Sequence, residues 1–207
     1  MLKCKHIAAY PEEYLAMFKA PKDGTGDTLR EFVNAIERMA GPSGLTFRDE
    51  HDRLKFKGDV LEVLAELFFT RFNSDPALGL TDYIPINIED DYGIDAKGTN
   101  ANNDLAVVQI KYRNNPADVV TYADIARTFT SGVLQHRLDP SKSKNVFVFT
   151  TAMAVSRQCT NVFDDKLVVV SRNIIKRAID NNRNFWKRCF EEVQNYVSYH
   201  SGDSFAI

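Results

Sequence analysis

Leu105-Ala106-Val107-Val108-Gln109-Ile110-Lys111-Tyr112 is the stretch on which the fold turns. Val107, Val108 and Ile110 give it the β-branched density of a strand. Gln109 and Lys111 stand two residues apart, so a pleated strand carries both on one face. Val108, Ile110 and Tyr112 then point the other way. Burying a polar pair on an apolar strand is costly, so their shared face is expected to line a cleft rather than to fill a core.

Upstream, Gly98 to Asp104 is an Asn-rich turn, preceded by a short strand from Ile94 to Lys97. Glu89-Asp90-Asp91-Tyr92-Gly93 reads as a solvated turn, with Asp90 or Asp91 placed to reach the mouth of a cleft. Leu80 to Ile88 reads as a strand whose Pro85 suits an edge. If the strands flanking the Asn-rich turn pair, Asp95 comes opposite Gln109 or Lys111. Further back, Val60, Leu61, Leu64, Leu67 and Phe68 form the stripe of a helix from about Asp59 to Phe72. The first 50 residues read as helical. Pro11 suits a first turn, Thr28-Leu29-Arg30-Glu31 has capping-box spacing, and Leu29, Phe32, Val33, Ile36 and Met39 repeat at helical spacing up to Gly41-Pro42. Downstream, a helix is predicted over Thr121 to Leu134, a buried strand over Asn145 to Thr150, a short helix near Ser156 and a strand over Leu167 to Val170. Helices over Ile174 to Ile179 and Phe185 to Val197 close the chain. This order predicts an α/β fold with a mixed sheet between helices.

Composition narrows the function. The 207 residues are 44% hydrophobic and 26% charged, a globular balance. A net charge of -2 and a pI of about 6.1 argue against a protein that coats nucleic acid by bulk electrostatics. Contacts with a polyanion are therefore expected to be local. No apolar run approaches the roughly 20 residues of a membrane span, and Met1 to His6 lacks the apolar stretch of a signal peptide. Cys4, Cys159 and Cys189 form neither a zinc spacing nor a disulfide framework. A cytoplasmic, reducing setting with no membrane partner is expected. His6, His51, His136 and His200 are scattered and read as core or surface residues.

Gly93-Ile94-Asp95-Ala96-Lys97 followed by Val107-Val108-Gln109-Ile110-Lys111-Tyr112 resembles the GxD…QxK core of the PD-(D/E)xK nucleases. The similarity is to Mrr-like restriction endonucleases and to the nuclease domains attached to some helicases. Lys57 to Leu64 resembles the family's first helix, and Asn145 to Thr151 with Ser156 and Leu167 to Val170 resembles its later strand-helix-strand segment. The resemblance covers roughly residues 55 to 180. Two departures stand out: Gln109 replaces the usual acid, as in the Mrr-like branch, and Ile94 occupies the place of a common proline.

What the resemblance implies is a restriction-endonuclease-like mixed sheet with an N-terminal helical extension (1–50), a nuclease core (51–180) and a C-terminal helix on that core (181–207). It implies Mg2+- or Mn2+-dependent hydrolysis of DNA. Phosphodiester cleavage needs a dication on hard oxygen ligands, an oriented water and neutralisation of charge growing on phosphate. Glu62, Asp95, Gln109 and the Ile110 carbonyl would hold the ion, and Lys111 would position water. Glu62 has a second reading, since Asp59-Val60-Leu61-Glu62 is also a capping-box spacing, and Glu66 is its substitute. A rival register pairs Asp82 with Asp95-Ala96-Lys97. Tyr112, Arg113, Lys142, Lys144 and Arg157, with Arg127 beside them, are candidates for the DNA backbone. Two further readings keep the fold but change the activity: a non-cleaving nucleic-acid-binding or assembly module, and a junction resolvase or exonuclease. Cutting both strands commonly takes two active sites, so a homodimer is one expected partner, and a fused or associated helicase another.

Overall fold

A computed structural model describes residues 2–23, 26–72, 75–86 and 93–202. The expected turn from Glu89 to Tyr92, including Asp90 and Asp91, lies outside the described residues, as does the end of the strand expected to run to Ile88. The chain divides into two compact units, residues 1–67 with 179–207, and residues 68–178. The expected boundary near residue 51 thus moves to residue 68, and the C-terminal helix joins the N-terminal ones. No helix among the described residues is long and apolar enough to cross a membrane.

The first unit is helical: α1 (Pro11–Lys19), α2 (Thr28–Met39), α3 (Glu50–Leu67) and α7 (Phe185–Gly202). Pro11 occupies the first turn of α1, where its missing N–H costs nothing. In α2 the stripe Leu29, Phe32, Val33 and Ile36 is buried, as its spacing predicts. Its cap is not Thr28 but Asp27, whose carboxylate accepts the Arg30 N–H. An aromatic core joins three of these helices: the rings of Phe18, Phe32 and Trp186 pack with centroids 5.0 Å apart in the first and last pairs, Phe18–Phe32 and Phe32–Trp186. Helix α3 begins at Glu50, nine residues before the expected start at Asp59. Asp59 is therefore mid-helix, and the capping-box reading of Asp59 to Glu62 falls.

The second unit is built on a five-stranded mixed sheet in the order β1-β2-β3-β5-β7. Its strands are β1 (Thr81–Pro85), β2 (Ala96–Thr99), β3 (Leu105–Lys111), β5 (Val146–Thr150) and β7 (Leu167–Val170). The first three form an antiparallel meander, with Pro85 on the edge strand. Helix α4 (Tyr122–His136) then crosses over so that β5 lies parallel to β3, and α5 (Arg157–Phe163) does the same for β7 beside β5. The chain continues into α6 (Arg172–Asp180). Two-residue strands β4 (Val119–Val120) and β6 (Ala154–Val155) pair with each other, a ribbon too short to leave a periodic signal in the sequence.

The sheet's two faces are chemically distinct. Val107, Val146 and Val148 meet Ile125 of α4 and Cys159 and Phe163 of α5 in one hydrophobic cluster. The opposite face carries Phe147 and Phe149, which pack on Phe69, itself stacked on Tyr83 at 6.0 Å. Gly132 sits where α4 comes closest to the sheet. A methyl group there would lie 3.0 Å from the Leu138 side chain and 3.3 Å from Val107. Gln109 and Lys111 share the face of Val107, under α4, so the helix that buries the valines also roofs the polar pair.

Candidate functional site

Ala96 pairs with Val108 in the β2–β3 ladder, and the Asp95 N–H donates to the Val108 carbonyl. One step further along, Asp95 comes opposite Gln109 rather than Lys111. Its carboxylate accepts hydrogen bonds from the Gln109 side-chain amide and from the Ile110 backbone N–H. Gln109 is buried, 3% exposed, and its carbonyl oxygen accepts from the Thr128 hydroxyl. The polar pair is thus split: Gln109 is a buried amide with partners on both ends, and Lys111 reaches the opening. Ile110, whose carbonyl is the expected further ligand, offers Asp95 its backbone N–H.

Asp95, Gln109 and Lys111 line one cavity of about 340 Å³, together with Gly93, Ala123, Asp124 and Arg127 among the described residues. It lies where β3 ends and α4 begins. The capping box of α4 explains part of it: Thr121 accepts the Asp124 N–H, and the Asp124 carboxylate accepts from the Thr121 N–H at 3.1 Å. That carboxylate also receives the Arg113 guanidinium at 3.3 Å. Gly93 is favoured by its backbone, with φ at +94°, and a methyl group there would press on the flexible Arg127 side chain at 2.9 Å.

Asp124 and Thr128 were missed by motif reasoning, and Arg127 entered it only as a DNA-backbone candidate. A signal existed. Asp124, Arg127 and Thr128 stand at i, i+3 and i+4, so they share one helix face, and that face also bears the buried Ile125 and Gly132. Polar residues beside the buried side of an amphipathic helix mark a place where the core opens.

The residues expected to meet DNA scatter. Tyr112 and Arg113 follow β3 at the cavity's end, with the Arg113 N–H donating to Thr151 Oγ1 at 2.7 Å. Arg157 is exposed at the start of α5, also beyond the carboxyl ends of the parallel strands. Lys142 and Lys144 lie at the other end of the sheet. Lys142 pairs with Asp104 at 3.2 Å, and the Lys144 N–H donates to the Asp165 carbonyl at 2.8 Å. A seven-residue strand spans roughly 20 Å, so these two lysines do not share the Lys111 cleft. In the rival register, Asp82 is exposed on a bulged stretch of β1 with φ at 51°, and it is not among the residues lining the cavity.

Glu62 belongs to the first unit. Its carboxylate accepts from His6 Nε2 at 2.9 Å, while His6 Nδ1 lies 3.5 Å from Asp59. Burial is the main cause that lifts the Glu62 carboxyl above its usual range, partly offset by the His6 hydrogen bond. Burial works the other way on His6, but the Glu62 hydrogen bond and the Asp59 charge outweigh it and raise the imidazole. Glu66, the substitute, is occupied: it accepts the backbone N–H of Lys3 at 2.7 Å and of Cys4 at 2.8 Å. Family models, curated proteins and solved structures yield no match to the chain.

Proposed function

We propose that the second unit is a divalent-cation-dependent deoxyribonuclease of the PD-(D/E)xK type with a restriction-endonuclease-like fold. The observation that carries this is the meeting of the Asp95 carboxylate, the Gln109 amide and Lys111 in one open cavity at the end of a mixed sheet. The resemblance implies a mixed sheet flanked by helices, and the mixed five-stranded sheet supports the reading at that coarser level.

The donor set suits a hard dication once one amide turns over. An amide's oxygen and nitrogen occupy nearly the same space, so a flip exchanges hydrogen bonds at little steric cost. As it stands, Gln109 gives its NH2 to Asp95 and its oxygen to Thr128. After a flip its oxygen would face the Asp95 side. Thr128 can accept from the turned NH2, because its own proton has other acceptors: the Gly93 carbonyl at 2.9 Å and the Asp124 carbonyl at 3.1 Å. Two oxygens from Asp95 and Gln109 would then hold Mg2+ or Mn2+, with water completing the shell. A bound ion would polarise the phosphate and lower the pKa of water.

The chain's own groups do the rest. Lys111 offsets charge that grows on the phosphate oxygens and orients the attacking water through its N–H donors. Arg127 adds a second cation on the same cavity. Asp124 fixes Arg113 and the start of α4, and so acts as a positioning residue. Water attacks phosphorus, the bond to the leaving deoxyribose oxygen breaks, the proton released by water goes to solvent, and the leaving oxygen takes up a proton from solvent. Plasmid nicking with Mg2+ or Mn2+ tests the proposal: supercoiled DNA is converted to nicked or linear forms by the wild-type chain. Absence of any cleavage of linear, circular or branched DNA by folded protein overturns it.

One observation favours a non-cleaving nucleic-acid-binding module instead. Gln109 is neutral, buried and already partnered at both ends. Calorimetric titration with Mg2+ separates the two, because a pure binding module requires no dication in this cavity.

A further inference from the structure

In the first unit, three side chains of different chemistry converge. A ligand atom each from Cys4, His6 and Glu62 all lie within 4.8 Å of one another. Tetrahedral zinc, with bonds of about 2.0 Å to nitrogen and 2.3 Å to sulfur, asks for ligand atoms roughly 3.3 to 3.6 Å apart. Side-chain rotations of modest size cover the difference. We propose that Cys4, His6 and Glu62 are a binding site for a borderline transition-metal dication of the Zn2+ class.

The surroundings are those of a built site. Cys4 begins a short 3-10 turn, Lys5–Ala9, so Cys4 and His6 project from one tight bend. Glu66 clamps that bend to α3 by accepting the N–H groups of Lys3 and Cys4. Histidine ligands commonly give their second nitrogen to a carboxylate, which fixes the tautomer. Here Asp59 lies 3.5 Å from His6 Nδ1, leaving Nε2 for the ion. Asp59 is itself held by Lys55 at 2.7 Å. Cys4 is 1% exposed, whereas the His6 and Glu62 side chains are 20% and 19% exposed. The site therefore has a buried end and an open end, and the open end admits the ion and leaves a fourth position for water.

Sulfur decides the metal class. Thiolate and imidazole suit Zn2+, Co2+ and Fe2+, whereas Mg2+ takes oxygen. On binding, the Cys4 thiol proton and the proton that His6 Nε2 shares with Glu62 both pass to solvent, and the ion takes the place of that hydrogen bond. This site uses none of the residues lining the Asp95 cavity, so it stands or falls independently of the nuclease proposal.

Cobalt(II) titration of the reduced 207-residue chain tests it. The expected result is one equivalent bound, a near-ultraviolet thiolate-to-cobalt charge-transfer band and the visible bands of low-coordinate cobalt, all bleached by stoichiometric Zn2+. Cys4→Ser removes the charge-transfer band. His6→Gln, at a partly exposed position, weakens Co2+ at least tenfold with the circular dichroism spectrum unchanged, and so covers the case in which the buried Cys4→Ser fails to fold. A wild-type chain without the band at excess Co2+, or unaltered affinity in His6→Gln, overturns the proposal.

Discussion

Two polar clusters, one in each unit, are held by different means. In the second unit 14 residues separate Asp95 from Gln109, and an alternating strand and its neighbour bring them together. Its partners are an amide, a hydroxyl and backbone groups, joined in a chain of hydrogen bonds with one carboxylate in the middle. In the first unit 56 residues separate His6 from Glu62, and charge joins them: an imidazole between two carboxylates, one of them paired with a lysine. Hydrogen-bond networks depend on geometry and respond to shape changes. Ion-paired clusters in part-buried settings respond to the loss of a charge, because the remaining partner keeps its desolvation cost. The comparison also separates hard donors from a set containing sulfur.

The largest effect expected is on Lys111. Lys111→Ala should lower Mg2+-dependent plasmid nicking by roughly 10²- to 10³-fold, the range for removing one pre-positioned donor at a developing charge. Thermal melting should stay close to wild type, because the Lys111 side chain lines an opening rather than a core. Equal nicking by the variant and the wild type would remove the mechanism assigned to this cavity and leave only a hydrogen-bonded pocket.

Glu66 tests the charge-held cluster without touching its three converging ligands. Its two oxygens each accept a backbone N–H, and the residue is 4% exposed. Glu66→Gln leaves one acceptor and sets an NH2 against a backbone donor. A cost of about 2 kcal/mol in urea unfolding is expected, with faster amide exchange at Lys3 and Cys4 than elsewhere in the unit. A change below about 0.5 kcal/mol would mean that the N-terminal bend is not anchored by this carboxylate.

Legibility followed chain separation. The β3 strand, its polar face and the Asp95 partner could be read from local spacing, because period 2 and a short turn leave few registers. The strands Val146–Thr150 and Leu167–Val170 were equally plain from their apolar runs. The start of α3 was hidden: Glu50 to Asp59 is rich in charges, and its helical character comes from pairs such as Arg53–Glu50 and Lys55–Asp59 rather than from an apolar stripe. With the start placed at Asp59 instead of Glu50, Glu62 reads as a helix-start residue. Cys4 and His6 gave no signal either, because their carboxylate partner stands on a helix far along the chain. Contacts of that kind are set by tertiary packing, which no local period encodes.

Thr128 sharpens the hydrogen-bonded side. Thr128→Val keeps the shape and removes the hydroxyl, leaving the Gln109 oxygen without that donor in a buried place. The expected cost is about 1.5 kcal/mol in urea unfolding, with Thr128→Ser restoring most of it. Titration of 15N-labelled wild type with Mg2+ should move the Gln109 side-chain amide resonances, and Thr128→Val should shrink that response. A full response in the valine variant would show that the hydroxyl does not steer the amide.

Gly93 gives the smallest expected change and the most specific one. Alanine at φ +94° suffers the steric cost of a left-handed backbone, about 1 kcal/mol. Its methyl group would also sit 2.9 Å from Arg127 carbons, but these belong to a flexible side chain that can swing aside. Strain in the backbone should therefore set the stability loss, while displacement of Arg127 should set the functional one. Gly93→Ala is expected to lower nicking severalfold more than its stability loss explains. Adding Arg127→Ala to it should leave the stability loss in place and produce little further drop in nicking, because the arginine has already left the cavity. Additive losses in the double variant would instead mean that Gly93 serves only the turn, and that the glycine before Asp95 is a matter of backbone shape alone.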